Sequence, residues 1–584
     1  MANNACMPRT NVADRLTELA ALRPNEPAVV SARGGGYDQI TFAAIDADAT
    51  RLAHGLAAMG VGPSKGIALL VKPGVEFVTL VFALLRSGAT MVLVDAGLGK
   101  QNIVRCLEAT NPDGFVGIPQ AQALRVVLRR RFPKAKLNVT VGRRWFWGGE
   151  TIASLRKLGA EADKSPSPLG EGDFGSPSPS FCLPHTGADD PAAIVFTSGS
   201  TGPPKGVLYR HETFVTQANE IQRQYGLRPG GVDLACFPLF GLFNVACGVT
   251  TVLPEMDFSR PAACDPVKLF RAANQWNCTQ AFASPAVWDR LSRHAEQTGD
   301  SIPTMRRVFS CGAPVPAAVI ERTLKMVHPE AELHTPYGAT ESLPVATIEA
   351  QEILGETAER TAQGAGVCVG KKFDSIDWRV IRISDEPIGT IDQTEELSTG
   401  EIGELIVRGP QVSRQYLTQE PSASAAGATN PTTARHNVLA KIVDGEHVWH
   451  RVGDVGYFDD EQRFWYCGRK SHRVVTTEGT LFTEQVEAQV NTHPLVRRSA
   501  LVGVGAKGAQ QACIVIEPTV AADSKEAMET ILDIKALAES LLAPIPIGGV
   551  WAMPTPLPVD IRHNSKIHRE SIAEWAAAKL GGRA

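Results

Sequence analysis

The chain lacks several features that would narrow its role at once. None of its apolar runs is long: the most extended, near Phe77 to Leu85, is too short to cross a bilayer and is flanked by Lys72, Glu76 and Arg86. No integral membrane segment is expected. Its 11 cysteines, an odd number, include no Cys-x-x-Cys pair and no Cys/His cluster at zinc spacing. That predicts free thiols in a reducing compartment rather than disulfides or structural zinc. Charge of one sign is missing too. A formal net charge of −4 gives no reason to expect a polyanionic partner, so nucleic acid is excluded on bulk electrostatics. The local basic run Arg125, Arg129, Arg130 and Arg131 reads as a solvated helix face. Met1 to Arg9 has no apolar core of the kind a signal peptide needs, and a cytoplasmic protein is expected. No internal repeat is present.

What remains is a long, ordinary globular composition with alternating elements. Of 584 residues, 43% are hydrophobic and 21% charged, enough for a sizeable core and several domains. Leu52, Leu56 and Met59 lie at helical spacing. Ile67 to Val71 reads as a strand, Phe77 to Leu85 as a buried helix and Met91 to Val94 as a second strand. Such alternation predicts αβ-layered parallel sheets. Phe214, Ala218, Ile221 and Tyr225 share one face of a further helix. Closely spaced strands from Ile376 to Tyr416 predict a small antiparallel β subdomain. A last α+β unit begins near Gly468, with helices at Thr483 to Val490 and Lys525 to Leu541, and strands at Ser499 to Val502 and Ala512 to Val515. The expected class is therefore α/β, with a large domain over 1–467 and a smaller one over 468–584. Mobile segments are expected near 160–190 (most clearly Ser165 to Pro184) and in a variable loop near 418–447, where Pro421 to Thr433 is low in complexity.

The most informative stretch is Ile194-Val-Phe-Thr-Ser-Gly-Ser-Thr-Gly-Pro-Pro-Lys-Gly-Val207. An apolar strand, Ala193 to Phe196, runs into hydroxyls and glycines. Gly199, Gly202 and Gly206 let the backbone approach an anion, while Thr197, Ser198, Ser200 and Thr201 supply hydroxyls and Lys205 a cation. Such a loop suits the outer phosphates of a nucleotide. It is not a Walker A loop, because Pro204 stands where that pattern has the glycine before its lysine.

Five further segments supply what activation of a carboxylate by ATP requires. In Tyr337-Gly-Ala-Thr-Glu341, including Gly338, a ring can cover adenine, Thr340 can meet the α-phosphate and Glu341 can hold Mg²⁺. Ser310-Cys-Gly-Ala-Pro314 brings Gly312, Ala313 and Pro314, small enough for backbone to press on a purine. Asp454, after a tight glycine in His450-Arg-Val-Gly-Asp454, can accept from ribose hydroxyls, and the Arg469 guanidinium can reach the same ribose or the phosphates. Lys566, in Asn564-Ser-Lys-Ile-His-Arg569, can neutralise the carboxylate and α-phosphate as they react.

In this order the segments resemble the adenylate-forming enzymes: acyl-CoA synthetases, peptide-synthetase adenylation domains and luciferases. The resemblance covers nearly the whole chain. It implies a large N-terminal domain, a mobile C-terminal domain and a hinge at Lys470-Ser471. It implies further that Thr197 to Lys205 hold pyrophosphate, Tyr337 adenine and Glu341 magnesium. Asp454 and Arg469 would hold ribose, and Lys566 the adenylation transition state.

Two departures bear on which branch this is. Thr477-Glu478 occupies positions where thioester-forming relatives carry a Gly-Gly pair for a pantetheine arm, and Gly241 stands where many carry His. Both lower the odds of CoA without excluding it. The segments Pro229 to Leu234, His334 to Glu341, Gly456 to Phe458, Cys467 to Arg473, Thr483 to Glu487 and Val559 to Lys566 resemble the olefin β-lactone synthetases of long-chain hydrocarbon biosynthesis. That branch implies ATP activation of a long-chain 2-alkyl-3-hydroxy acid, then displacement of AMP by the substrate's own hydroxyl. It also implies a thiolase-like enzyme, a reductase and a decarboxylase as pathway neighbours. The alternatives are a long-chain fatty acid–CoA ligase and a non-catalytic scaffold on the same fold. Phe237 to Val252, with Phe282 and Trp288, are expected to line an apolar pocket. His211 is a candidate proton acceptor because imidazole titrates near neutrality.

Overall fold

The computed structural model describes residues 9–162, 183–197, 204–417, 431–559 and 566–582. Two seven-stranded sheets dominate. In the first, strands run in the order Glu150–Thr151, Leu137–Thr140, Gly114–Gly117, Gly66–Leu70, Thr90–Leu93, Pro191–Thr197 and Lys205–Arg210. Every pair is parallel except the last, which is antiparallel because only the short phosphate-loop segment joins its strands. The second sheet runs Glu332–His334, Arg307–Ser310, Gln280–Ala283, Val232–Ala235, Thr250–Leu253, Pro27–Arg33 and Gly36–Thr41, again parallel but for one edge.

One continuous core joins the two sheets through the helices Phe42–Ala58, Val75–Ser87 and Phe240–Ala246. The helix Val75–Ser87 is buried at every position from Val78 to Ser87, which explains why its sequence is apolar without a polar stripe. Its one charged residue inside the core, Arg86, is taken up by Asp46 at 2.5 Å and by the Thr17 and Thr50 hydroxyls. The expected helix at Leu52 and strands at Ile67 and Met91 fall within Phe42–Ala58, Gly66–Leu70 and Thr90–Leu93.

A six-stranded antiparallel sheet follows: Val367–Cys368, Phe464–Arg469, His447–Phe458, Gly403–Arg408 and Asp377–Ile381, with Lys441–Asp444 paired to His447–Phe458. It is larger than the segment Ile376 to Tyr416 suggested, since its long strands come from later sequence. Of the stretch 418–447, residues 418–430 lie outside the described set. The rest is ordered: a helix at Pro431–Ala440 and the strand Lys441–Asp444. Most of the expected insertion near 160–190 also lies outside the described residues.

The C-terminal unit packs the helices Thr483–Val490 and Lys525–Leu542 on a sheet of Val496–Val504, Gln511–Pro518 and Ile547–Ala552, with Arg569–Leu580 on the other face. Two anionic centres hold it to the large domain. Glu404 is fully buried, takes Arg451 at 2.6 Å and also takes Lys470, just after the strand Phe464–Arg469, at 2.9 Å. Asp385 takes Arg473 at 2.6 Å and Lys507 at 2.8 Å. Among the described residues no helix is long and apolar enough to cross a membrane.

Removing one partner of a buried ion pair strands the other charge. The exchange Arg451→Met should therefore destabilise the protein by about 3–5 kcal/mol in urea unfolding followed by circular dichroism.

Candidate functional site

The C-terminal ends of the parallel strands in both large sheets open onto one cavity of about 2380 Å³, which the C-terminal unit also borders. Ligand sites in open α/β sheets lie at this edge, where loops rather than helices cover the strand ends. The residues expected from sequence to act together converge here. Lys205, Gly312, Ala313, Pro314, Tyr337, Gly338, Thr340, Glu341, Asp454, Arg469 and Lys566 all line the cavity. Of the phosphate loop, Ser198, Gly199, Ser200, Thr201 and Gly202 lie outside the described residues, and Thr197 ends the strand that feeds it.

Asp454 is 5% exposed and sits on the long strand His447–Phe458, in register with Arg469 on its neighbour. That register puts Arg469 Nη1 2.6 Å from Asp454 Oδ1, while the Tyr337 hydroxyl donates to Asp454 Oδ2 at 2.5 Å. The carboxylate holds the guanidinium well above its ordinary range, and burial with that negative charge raises the Tyr337 phenol strongly. Both carboxylate oxygens of Asp454 are thus held in place by neighbours.

Tyr337 belongs to a short hairpin, Tyr337–Ala339 with Ser342–Thr347. Gly338 is required there: a Cβ would stand 2.6 Å from the Ser342 carbonyl oxygen. Gly312 has φ of 100°, open to glycine and costly for other residues. The same hairpin presents Thr340 and Glu341. Tyr209 donates to the Thr340 carbonyl at 2.7 Å, and the Glu341 carbonyl accepts from the Ser413 amide at 2.8 Å.

The sequence reading missed what holds the Glu341 side chain. The Tyr416 hydroxyl donates to Glu341 Oε1 at 2.7 Å. Lys205 Nζ and Lys441 Nζ lie 5.4 and 5.3 Å from the centre of the Tyr416 ring. Asn437 on the helix Pro431–Ala440 clamps the Tyr416 backbone, accepting from its amide at 2.7 Å and donating to its carbonyl at 3.2 Å. Lys441 also donates to the Ser413 carbonyl. Desolvation pushes the Lys441 ammonium down to about 7, against the pull of Glu341. Desolvation also lowers Lys205, again opposed by Glu341. No spacing rule marks these partners, because Tyr416 and Lys441 stand far from Glu341 in sequence.

Lys566 reaches the cavity across from Cys311. Burial pushes the Cys311 thiol up to about 12, and the Lys566 charge acts against that shift. Three residues on, Arg569 Nη2 pairs with Glu487 Oε2 at 2.9 Å on the helix Thr483–Val490. Beside this pair, burial raises Glu484 to about 7 at the cavity wall.

Two expectations are corrected. His211 does not face the cavity: it is completely buried at the start of the helix His211–Gln224, and burial lowers its imidazole to about 4. It can neither hold nor pass a proton at the site. Trp288 is core, with its indole donating to the Phe309 carbonyl at 3.1 Å. Of the expected apolar lining, Phe237, Leu239, Phe240, Phe243 and Phe282 are present, with Phe240 and Phe282 stacked at 3.7 Å.

The profile of the AMP-binding enzyme family matches residues 16–417. An olefin beta-lactone synthetase of Stenotrophomonas maltophilia is 42% identical over 98% of this chain and 99% of its own length. One from Xanthomonas campestris is 42% identical over 97% of each. A feruloyl-CoA synthase of Amycolatopsis is 26% identical over 82% of this chain and 83% of its own. Among solved structures, the amide bond synthetase McbA of Marinactinospora thermotolerans superposes with a TM-score of 0.72 at 21% identity, covering 97% of this chain and 99% of that one.

A lysine depressed to about 7 leaves the unfolded chain binding more protons than the native one from about pH 7 up to the ordinary lysine range. In that window its contribution makes stability rise with pH. Urea unfolding at pH 7, 8 and 9 should show this rise in the native protein and a flatter dependence in Lys441→Met.

Proposed function

The chain belongs to the AMP-binding enzyme family and is an AMP-forming synthetase; on that premise we propose that it activates a long-chain 2-alkyl-3-hydroxy acid with ATP and closes it to a β-lactone. The support is the 42% identity to two olefin beta-lactone synthetases over nearly full length, joined to a cavity lined by Glu341, Asp454 and Lys566 together. Asp454 and Arg469 hold the ribose, the Tyr337 ring and the Gly312 to Pro314 backbone take the adenine, and Lys205 with the loop Thr197 to Gly202 takes the outer phosphates.

The residues fit a magnesium ion held in part by the nucleotide. Among the described residues no cluster of three or more His, Cys, Asp or Glu forms a protein cage. One carboxylate, Glu341, oriented by Tyr416, matches the way Mg²⁺ is usually shared between protein and phosphates. Bound there, the ion would neutralise phosphate charge. The protein's own contribution is orientation: Tyr416 fixes the carboxylate and Thr340 lies beside it.

In the first step the substrate carboxylate oxygen bonds to the α-phosphorus and pyrophosphate departs. Lys566 offsets the negative charge that both reactants bring together. In the second, the 3-hydroxyl oxygen bonds to the activated carbonyl carbon, gives up its proton, and AMP leaves. Proximity is the main resource, since a well-oriented internal nucleophile can gain roughly 7–11 kcal/mol. Anhydride cleavage offsets the strain of the four-membered ring.

A thioester-forming ligase is the competing reading, favoured by the similarity to feruloyl-CoA synthase. Incubation with ATP, Mg²⁺ and a 2-alkyl-3-hydroxy acid, with and without CoA, separates them by mass analysis. Lactone without CoA is expected; thioester formed only with CoA would replace this reading. In Lys566→Ala, pyrophosphate release should fall about 100- to 1,000-fold while thermal unfolding is unchanged.

A further inference from the structure

The cavity does not stay on one side of the first sheet. Along Gly66–Leu70 and Thr90–Leu93 successive side chains point to opposite faces. Ile67, Leu69, Met91 and Leu93 enter the core between the two sheets. Ala68, Leu70, Val92 and Val94 belong to a separate core, beneath the helices Lys100–Thr110 and Pro119–Val127. The cavity is lined from both sets. On the inter-sheet side it meets Leu69, Leu93, Phe240 and Phe282; on the helix side it meets Leu70, Val94, Ile103 and Leu124. It therefore wraps over the C-terminal edge of the sheet as two apolar arms. Its volume of about 2380 Å³ also takes in the end lined by Tyr337, Asp454 and Lys566, so the lining from both faces of the sheet, not the size, marks two arms.

A single alkyl chain explains only one arm. We propose that the two arms hold the two alkyl chains of one acid, the C2 substituent on one side of the strand edge and the C3 chain on the other. This deepens the proposed function and rests on it. The 2-alkyl-3-hydroxy acid branches at adjacent carbons, so its chains diverge from the point that must lie beside Lys566 and Thr340. Straddling the edge fixes both carbons at once. It thereby holds the 3-hydroxyl on one side of the activated carbonyl, which intramolecular closure requires. An occupied helix-side arm also leaves less room for a second, separately bound acyl acceptor. Leu70, Val94, Ile103 and Leu124 are each partly exposed, as walls of an open arm must be and as packed core residues are not.

The test uses four acids: both chains long, only the C2 chain long, only the C3 chain long, and both short. Pyrophosphate release and lactone are measured for the native protein, Leu124→Trp and Phe282→Trp. Each buried methylene is worth about fourfold in affinity, so filling an arm should be legible in kcat/KM. Leu124→Trp should lower the long-to-short preference for one chain at least tenfold and leave the preference for the other. Phe282→Trp should show the reverse assignment. Thermal unfolding establishes that both variants are folded, and Ile103→Trp replaces Leu124→Trp if that variant is not. If both preferences fall together in each variant, or the helix-side variants change neither, the two-armed assignment is wrong. Absence of pyrophosphate release with every acid would instead overturn the adenylation reading itself.

Discussion

The arrangement depends on a carboxylate with no access to water. Glu404, on the strand Gly403–Arg408 of the antiparallel sheet, is buried with Arg451 against it and with Lys470 reaching in from just beyond the strand Phe464–Arg469. A charge so placed is tolerable only while both cations remain. Arg451 is further tied to the carbonyls of Ser384, Glu386 and Leu439, which gathers one loop and the end of the helix Pro431–Ala440 around one guanidinium. The pair thus braces the sheet that carries Asp454, and through Lys470 it also holds the segment that follows Arg469. Lys566 lines the cavity only because that unit lies where it does.

The site itself is assembled from weakly related pieces of chain. The hairpin at Tyr337 supplies an aromatic ring, a hydroxyl and a carboxylate; the antiparallel sheet supplies Asp454 and Arg469; the C-terminal unit supplies Lys566. Each is fixed by a neighbour rather than by its own segment. Tyr337 and Arg469 occupy the two oxygens of Asp454, Tyr416 occupies one oxygen of Glu341, and Glu487 anchors the turn next to Lys566. Prior fixation of this kind lowers the reorganisation needed when charge develops during reaction.

Much of the layered fold could be read from residue order, because alternating periodicity leaves a local trace. The helix at Thr483–Val490 and the strands at Ala193 and Met91 are cases where spacing and burial agree. The motif residues were legible for a similar reason: glycines, hydroxyls and carboxylates in short runs carry their chemistry on their face. What escaped was contact across distance. Tyr416 and Lys441 look like ordinary members of a strand end and a loop, and only the folded chain brings them to Glu341. His211 misled in the opposite way, since a titratable ring beside the phosphate loop in sequence points into solid core. Trp288 did the same for the apolar pocket. The antiparallel sheet was underestimated because its long strands are polar enough in places to resemble loops.

The strand Phe464–Arg469 ends on the residue that grips Asp454, and the very next residue, Lys470, reaches the buried Glu404. Asp454 and Glu404 are therefore gripped by consecutive residues, and the two buried anions are linked through a single peptide bond. A shift of the backbone at that bond would disturb both ion pairs at once.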